Sequence, residues 1–258
     1  MRNLDDEYKI VGIVGVGGMG SVHSVKRVSD DAIFAMKTLH TGVALQQQGR
    51  TRFLHEIELL QLVAGPFILE YIDSGVHQGR VALVTKLHPS TVGAWASYNV
   101  VPLQQNLRWM SEVCIALDRI HGKGVVHRDL KPTNIMLNED NFVRLGDFGI
   151  ARHPHVRITL PGRSMGTPVY SSQQQQDDGG DATCSDDLFS VGMMIATLQL
   201  RIHANVVKQH QDKTALLAEV PQCVTEIILR ATHEDPAMRY LSAAEMLYDI
   251  ISAMAKVN

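Results

Sequence analysis

Aromatic side chains make up only 5% of this chain, and cysteines are limited to Cys114, Cys184 and Cys223, far apart and with no CxxC pair. That spacing argues against a zinc site built from thiolates and suits thiols kept as small core residues in a reducing compartment. A large excess of charge of one sign is missing as well. Lys plus Arg count 24 against 27 for Asp plus Glu, a net charge of −3, which speaks against general nucleic-acid binding and a polybasic membrane anchor. Long hydrophobic runs are absent. The longest, around Phe189–Leu200, is well short of the roughly 20 residues that a bilayer span requires and reads as a buried core helix. The opening residues MRNLDDEYK carry acids and no apolar core, so no secretory leader is expected and the expected location is cytoplasmic. Twelve histidines are scattered without an HExxH pattern.

What is present is an ordinary globular composition, 45% apolar and 20% charged over 258 residues, enough for one large domain or two small ones. The first third reads as strands. Lys9–Val16 and Ser21–Val28 are β-branched, and Ile33–Leu39 alternates with Ile33, Ala35, Lys37 and Leu39 on one face. A polar stretch at 46–49 (QQQG) reads as a loop. Phe53, Ile57, Leu60 and Ala64 then recur at helical spacing until Gly65-Pro66. Short strands are expected near Ile68–Ser74 and Arg80–Lys86. The rest is mostly helical: Leu103–His121, Asp187–Leu200, and a helix opened by the capping-box pattern Ser242-Ala-Ala-Glu245. The tract at 173–181 (QQQQDDGGD) reads as a loop. Strands first and helices later predict an α+β fold with two unequal lobes.

The sequence Gly15-Val16-Gly17-Gly18-Met19-Gly20-Ser21-Val22 fits G-x-G-x-x-G-x-V. Glycines let backbone amides approach phosphates closely. A dinucleotide-binding turn would open a helix, but here the loop runs into a second strand, so an oxidoreductase reading fails. In the third strand, Ala35 leaves room for a flat base and Lys37 can neutralise phosphate charge. Glu56 follows nineteen residues later on the next helix, where it can pair with Lys37.

His127-Arg128-Asp129-Leu130-Lys131-Pro132-Thr133-Asn134 comes next, and Asp147-Phe148-Gly149 begins thirteen residues after Asn134. Glycine loop, lysine, glutamate, HRD and DFG thus occur in one order at compatible spacings. With these residues, from about 8 to 254, the chain resembles the eukaryotic-like serine/threonine protein kinases. The resemblance implies a bilobal protein-kinase-like fold, with a β-rich lobe over 1–87 and a helical lobe over 88–258. It implies transfer of the γ-phosphate of MgATP to a Ser/Thr hydroxyl of a protein, with autophosphorylation possible and neither a nucleic-acid partner nor a membrane anchor. Asp129 would orient and deprotonate the hydroxyl, Asn134 and Asp147 would hold Mg2+, Lys37 would bind the α and β phosphates, and Lys131 would lie near the γ-phosphate.

The same resemblance places Val22, Ala35 and Met136 around adenine, Thr85 as gatekeeper, and Lys86, Leu87 and His88 as hinge. It stacks Leu60, Tyr71, His127 and Phe148 between the lobes, and gives Asp187 the structural task of holding the catalytic loop. A phosphate on Thr159 or Ser164 is expected to pair with Arg128, and Thr167 is expected beside Asp129 and Lys131. One motif departs: Ser172-Gln173-Gln174 stands where the family has Ala-Pro-Glu. The missing glutamate normally pairs with an arginine, here Arg239, to which Gln174 can offer only an uncharged hydrogen bond. That substitution keeps open a second reading, a pseudokinase or nucleotide-binding scaffold with weak transfer. A small-molecule kinase is disfavoured by Lys131 and Gly166-Thr167.

Overall fold

The computed structural model describes residues 1–152, 169–177 and 183–257, with 176–177 as backbone alone. Its first part is a five-stranded antiparallel sheet: β1 (Tyr8–Val16), β2 (Gly20–Arg27), β3 (Ile33–Leu39), β4 (Tyr71–His77) and β5 (Arg80–Lys86), in the spatial order β1-β2-β3-β5-β4. The period-2 alternation of β3 decides which side chains face where. Phe34 and Met36 join Leu4, Tyr8, Val25, Ala82 and Val84 in a small cluster, while Leu39 belongs to the large core. Lys37 lies opposite Val22 on one side and Leu83 on the other, and Ala35 lies opposite Thr85.

Between β3 and β4 come a single turn, α1 (Thr41–Ala44), and a longer helix, α2 (Gln47–Val63). The expectation of a loop at 46–49 is corrected here, because α2 starts at Gln47. Glutamine is a good helix former, and Gly49 permits a close approach rather than a break: a Cβ there would lie 2.5 Å from Val43 Cγ1. Phe53, Ile57 and Leu60 are buried as the spacing predicts.

After β5 follow β6 (Ser90–Thr91), α3 (Val92–Tyr98), α4 (Leu103–His121), a 3-10 turn at Pro132–Asn134, β7 (Ile135–Leu137) and β8 (Val143–Leu145). Then come α5 (Gln173–Asp177), α6 (Cys184–Leu200), α7 (Ala204–Gln209), α8 (Lys213–Leu216), α9 (Gln222–Ala231) and α10 (Ala243–Lys256). Helix α6 is buried from Asp186 to Leu198 and is opened by a capping box between Thr183 and Asp186. It is the central helix its apolar run implies. At the start of the tract 173–181 there is a helix, α5, rather than a loop. Ser172 Oγ accepts the Gln175 amide at 3.1 Å, which gives this polar segment an N-terminal cap. Ser242 Oγ likewise caps α10 by accepting the Glu245 amide at 3.1 Å.

Helix α4 and the turn that follows it fasten the sheet half to the helical half. Arg119 Nε donates to Val63 O at 3.0 Å, Arg119 Nη2 donates to Ala64 O, and Lys123 Nζ donates to Leu62 O. These are carbonyls that the end of α2 leaves without helical partners, and two cations at a helix C-terminus also complement its dipole. Among the described residues no helix is long and apolar enough to cross a membrane.

Candidate active site

Three segments meet beneath the sheet: β3, the middle of α2, and the loops flanking β7 and β8. Lys37 Nζ lies 2.6 and 2.9 Å from the two Glu56 carboxylate oxygens and 3.3 Å from Asp147 Oδ1. Burial disfavours the lysine charge, yet the two carboxylates outweigh it and carry the Lys37 pKa above its ordinary value. Burial likewise pushes against ionisation of Asp147, and Lys37 nevertheless holds that carboxyl below the usual range. Asp147 has φ +61° and Arg128 has φ +72°. Both occupy the left-handed region that non-glycine residues rarely adopt, so surrounding bonds must hold them there.

Those bonds are present. Asp187 Oδ2 accepts the His127 amide and Oδ1 the Arg128 amide, each at 2.9 Å. His121 Nε2 lies 2.8 Å from Asp187 Oδ2. His127 Nε2 contacts Gly146 O at 2.9 Å, and its ring centroid is 5.0 Å from that of Phe148, with both side chains fully buried. The loop before Asp129 and the loop carrying Asp147 are therefore tied to each other and to α6. Leu60 is buried in the same core, with Tyr71 packed against it.

Asp129 Oδ2 accepts Lys131 Nζ at 2.7 Å and Asn134 Nδ2 at 3.1 Å, and Asn134 Nδ2 also reaches Asp129 O at 2.8 Å. One carboxylate thus sits between a cation and an amide, both supplied by residues within five positions of it.

The turn between β1 and β2 is closed by the Gly17 amide donating to Gly20 O at 2.9 Å. A Cβ added at Gly15 or Gly18 would meet nothing within 4 Å, so this loop borders open space. Val16 is exposed at the end of β1. Val22 is paired with Lys37 in the sheet, and Ala35 is buried beside it. Met136 packs under Gly146, where a Cβ would come within 2.9 Å of its Cε. Thr85 is buried in β5, Lys86 is exposed with its amide on Glu70 O at 3.0 Å, and Leu87 is half-buried. Thr159, Ser164 and Thr167 lie outside the described residues.

The segment that departs from Ala-Pro-Glu is built differently from the expectation. Arg239 Nη2 donates to Gln174 Oε1 at 2.8 Å, the uncharged bond foreseen, but Arg239 Nη1 is also 3.3 Å from Asp186 Oδ1. A carboxylate is therefore supplied from α6. Burial draws the Arg239 pKa below its ordinary value, with Asp186 acting against that pull.

Other contacts are not evident in the sequence. His40 Nε2 contacts Gly17 O at 2.9 Å and ties the glycine turn to the end of β3. Glu70 bridges His88 Nε2 and Arg144 Nε, each at 2.9 Å. Burial opposes ionisation of Glu70, but these two partners bring its pKa down to about 2. Neither contact leaves a motif, since single polar residues far apart in the chain carry no periodic signal. Asp186 could have been noticed as the neighbour of Asp187.

The family model described as "Protein kinase domain" matches residues 8–258. The serine/threonine-protein kinase AfsK of Streptomyces coelicolor is 36% identical over 62% of this chain and 20% of its own length. The serine/threonine-protein kinase PknB of Mycobacterium leprae is 27% identical over 96% of this chain and 43% of its own. A probable serine/threonine-protein kinase PknB of Lactococcus lactis is 26% identical over 86% and 38%. The matched stretch thus spans less than half of each of these relatives.

Proposed function

Because the chain belongs to the protein kinase family, we propose that it is a serine/threonine kinase domain that transfers the γ-phosphate of ATP to a Ser or Thr hydroxyl of a protein. The observation that supports this most directly is the double engagement of Lys37, with Glu56 on one side and Asp147 on the other. Phosphoryl transfer is largely positioning and charge neutralisation, and that triad fixes a cation and a carboxylate together, with Lys37 opposite Val22 near the start of β2. Lys37 binds the α and β phosphates, and Glu56 fixes its reach. Gly15, Val16, Gly17, Gly18 and Gly20 let amides close over the phosphates. Val22, Ala35 and Met136 flank adenine, Thr85 is the gatekeeper, and Lys86 and Leu87 form the hinge where a lobe of residues 1–87 meets one of residues 88–258.

The residues present suit Mg2+. Asp147 offers a carboxylate and Asn134 a side-chain carbonyl, the hard oxygen donors Mg2+ takes alongside phosphates and waters. Bound there, Mg2+ would neutralise developing phosphate charge. Asp129 receives the acceptor hydroxyl's hydrogen bond and then its proton, while Lys131 keeps that carboxylate aimed and supplies positive charge at the γ-phosphate. The change at Ser172–Gln174 displaces none of these groups, and so lends no weight to a pseudokinase. The protein acceptor, autophosphorylation at Thr159 or Ser164, contact of Thr167 with Asp129, and a cytoplasmic place of action belong to the same proposal.

The test is transfer of labelled γ-phosphate from MgATP to protein, by the wild type and by Asp147→Asn. Label from the wild type alone is expected. No label from either would overturn the proposal, and equal label from both would remove Asp147 from it.

A further inference from the structure

The backbone of Arg128, the residue just before Asp129, is gripped from two sides. Arg128 N donates to Asp187 Oδ1 at 2.9 Å, and Arg128 O accepts Gln175 Nε2 at 2.5 Å. Gln175 is buried on α5, and its own amide rests on Ser172 Oγ at 3.1 Å. Ser172, fully buried, donates in turn to Asp186 Oδ1 at 2.5 Å. The same oxygen faces Arg239 Nη1 at 3.3 Å, and the side chains of both Arg239 and Asp186 are almost wholly enclosed. Arg239 spends its other donors on His233 O, Glu234 O and Gln174 Oε1, all uncharged. Its guanidinium carbon lies 5.0 Å from the centroid of the Phe189 ring, one turn along α6.

We infer that Asp186 is a positioning residue for Asp129: it supplies the carboxylate that position 174 lacks, pairs with Arg239, and through Ser172 and Gln175 holds the carbonyl side of Arg128 while Asp187 holds its amide side. Two consecutive acids at the start of one buried helix thereby divide two tasks. Asp187 orients the catalytic loop directly. Asp186 anchors α5, and α5 orients the loop from the opposite side. The left-handed φ of Arg128, +72°, is the conformation that this two-sided grip preserves. Asp186 also closes the capping box, where its Oδ2 accepts the Thr183 amide at 2.8 Å. A cap alone would need no arginine, and the inference concerns the other oxygen.

The test moves the charge. Three chains are compared with the wild type: Asp186→Asn, Gln174→Glu, and the two together. The readouts are kcat and the KM for MgATP with dephosphorylated casein as acceptor, and hydrogen exchange of the amides around 127–129 and 173–175. Asp186→Asn is expected to lower kcat about tenfold with the KM for MgATP within twofold, and to speed exchange in both segments. Adding Gln174→Glu is expected to restore both, because a carboxylate returns to Arg239. A merely structural cap would not be rescued from position 174. An Asp186→Asn chain within twofold of the wild type in kcat and exchange, or a double variant as impaired as the single, would overturn the inference. If Asp186→Asn fails to fold, a folded double variant supports it and an unfolded one overturns it. The inference rests on the kinase reading for its kcat arm alone. A wild type without transfer would overturn that reading, and the exchange arm would still decide the role of Asp186.

Discussion

The imidazole of His121, at the last turn of α4, shares Asp187 Oδ2 with the His127 amide, at 2.8 and 2.9 Å respectively. Burial works against a charged ring there, but the Asp187 carboxylate outweighs it, with a smaller contribution from Cys184, and the His121 pKa is pushed up to about 9. A histidine whose pKa is raised on folding stabilises fully below its unfolded pKa of about 6.5, and that stability is lost as pH rises through the folded value. His121→Asn should therefore lower Tm by several degrees at pH 6, at roughly 2–4 °C per kcal/mol for a chain of this size, and the gap to the wild type should shrink through pH 9. Thermal melts of both chains across that range check this. A gap that stays constant would show a neutral ring.

Lys37 is held by two carboxylates, so its removal and the removal of one partner should differ. Lys37→Met is expected to reduce transfer on the order of 10²–10³-fold, the scale of losing one preorganised charge at a reacting group. Glu56→Gln should cost less, because Asp147 still faces the lysine. Initial rates with labelled ATP, beside far-UV spectra showing intact helices, give the comparison. A Glu56→Gln chain slower than Lys37→Met would contradict the geometry.

Asp129 Oδ2 accepts from Lys131 Nζ and Asn134 Nδ2, whereas Lys37 is held by Glu56 and Asp147. Asp129→Asn should lower kcat by roughly 10²–10⁴-fold, as expected for loss of a positioned base, with nucleotide affinity left unchanged. Titration with a fluorescent ATP analogue separates the two effects, and weakened binding of similar size would place Asp129 elsewhere in the mechanism.

Glycines in the β1–β2 turn should respond in opposite ways. At Gly20 a Cβ would stand 2.2 Å from Thr38 O, whereas at Gly18 it would meet nothing within 4 Å. Gly20→Ala should destabilise by about 1–3 kcal/mol, the usual cost of overpacking. Gly18→Ala should leave Tm unchanged and raise the KM for ATP. Denaturant melts and steady-state kinetics on both variants decide it.

Much of this architecture was legible because its signals are periodic or local. Ile33–Leu39 and Leu103–His121 have the bounds that their alternation and spacing predict, and His127–Asn134 with Asp147 announces a site within twenty-one residues of sequence. What stayed hidden was long-range polar pairing. The Arg239–Asp186 contact joins residues 53 positions apart and the Glu70–Arg144 contact joins residues 74 apart, with no pattern to link them. The starts of α2 and α5 were hidden too, because glutamine-rich stretches resemble loops in composition while their helicity comes from a cap or a neighbouring turn.

The fastening of α2 by Arg119 and Lys123 has a mechanical consequence. The helix is pinned near Val63, and Glu56 lies seven residues back toward Gln47, its first residue. At 1.5 Å per residue, Glu56 is roughly 10 Å from the pivot and the far end roughly 24 Å. A swing about that pin moves Glu56 less than half as far as Gln47. Whatever pushes on the exposed turns around 45–48 therefore works with leverage, trading a wide stroke at the surface for a short, stronger displacement at the carboxylate that holds Lys37.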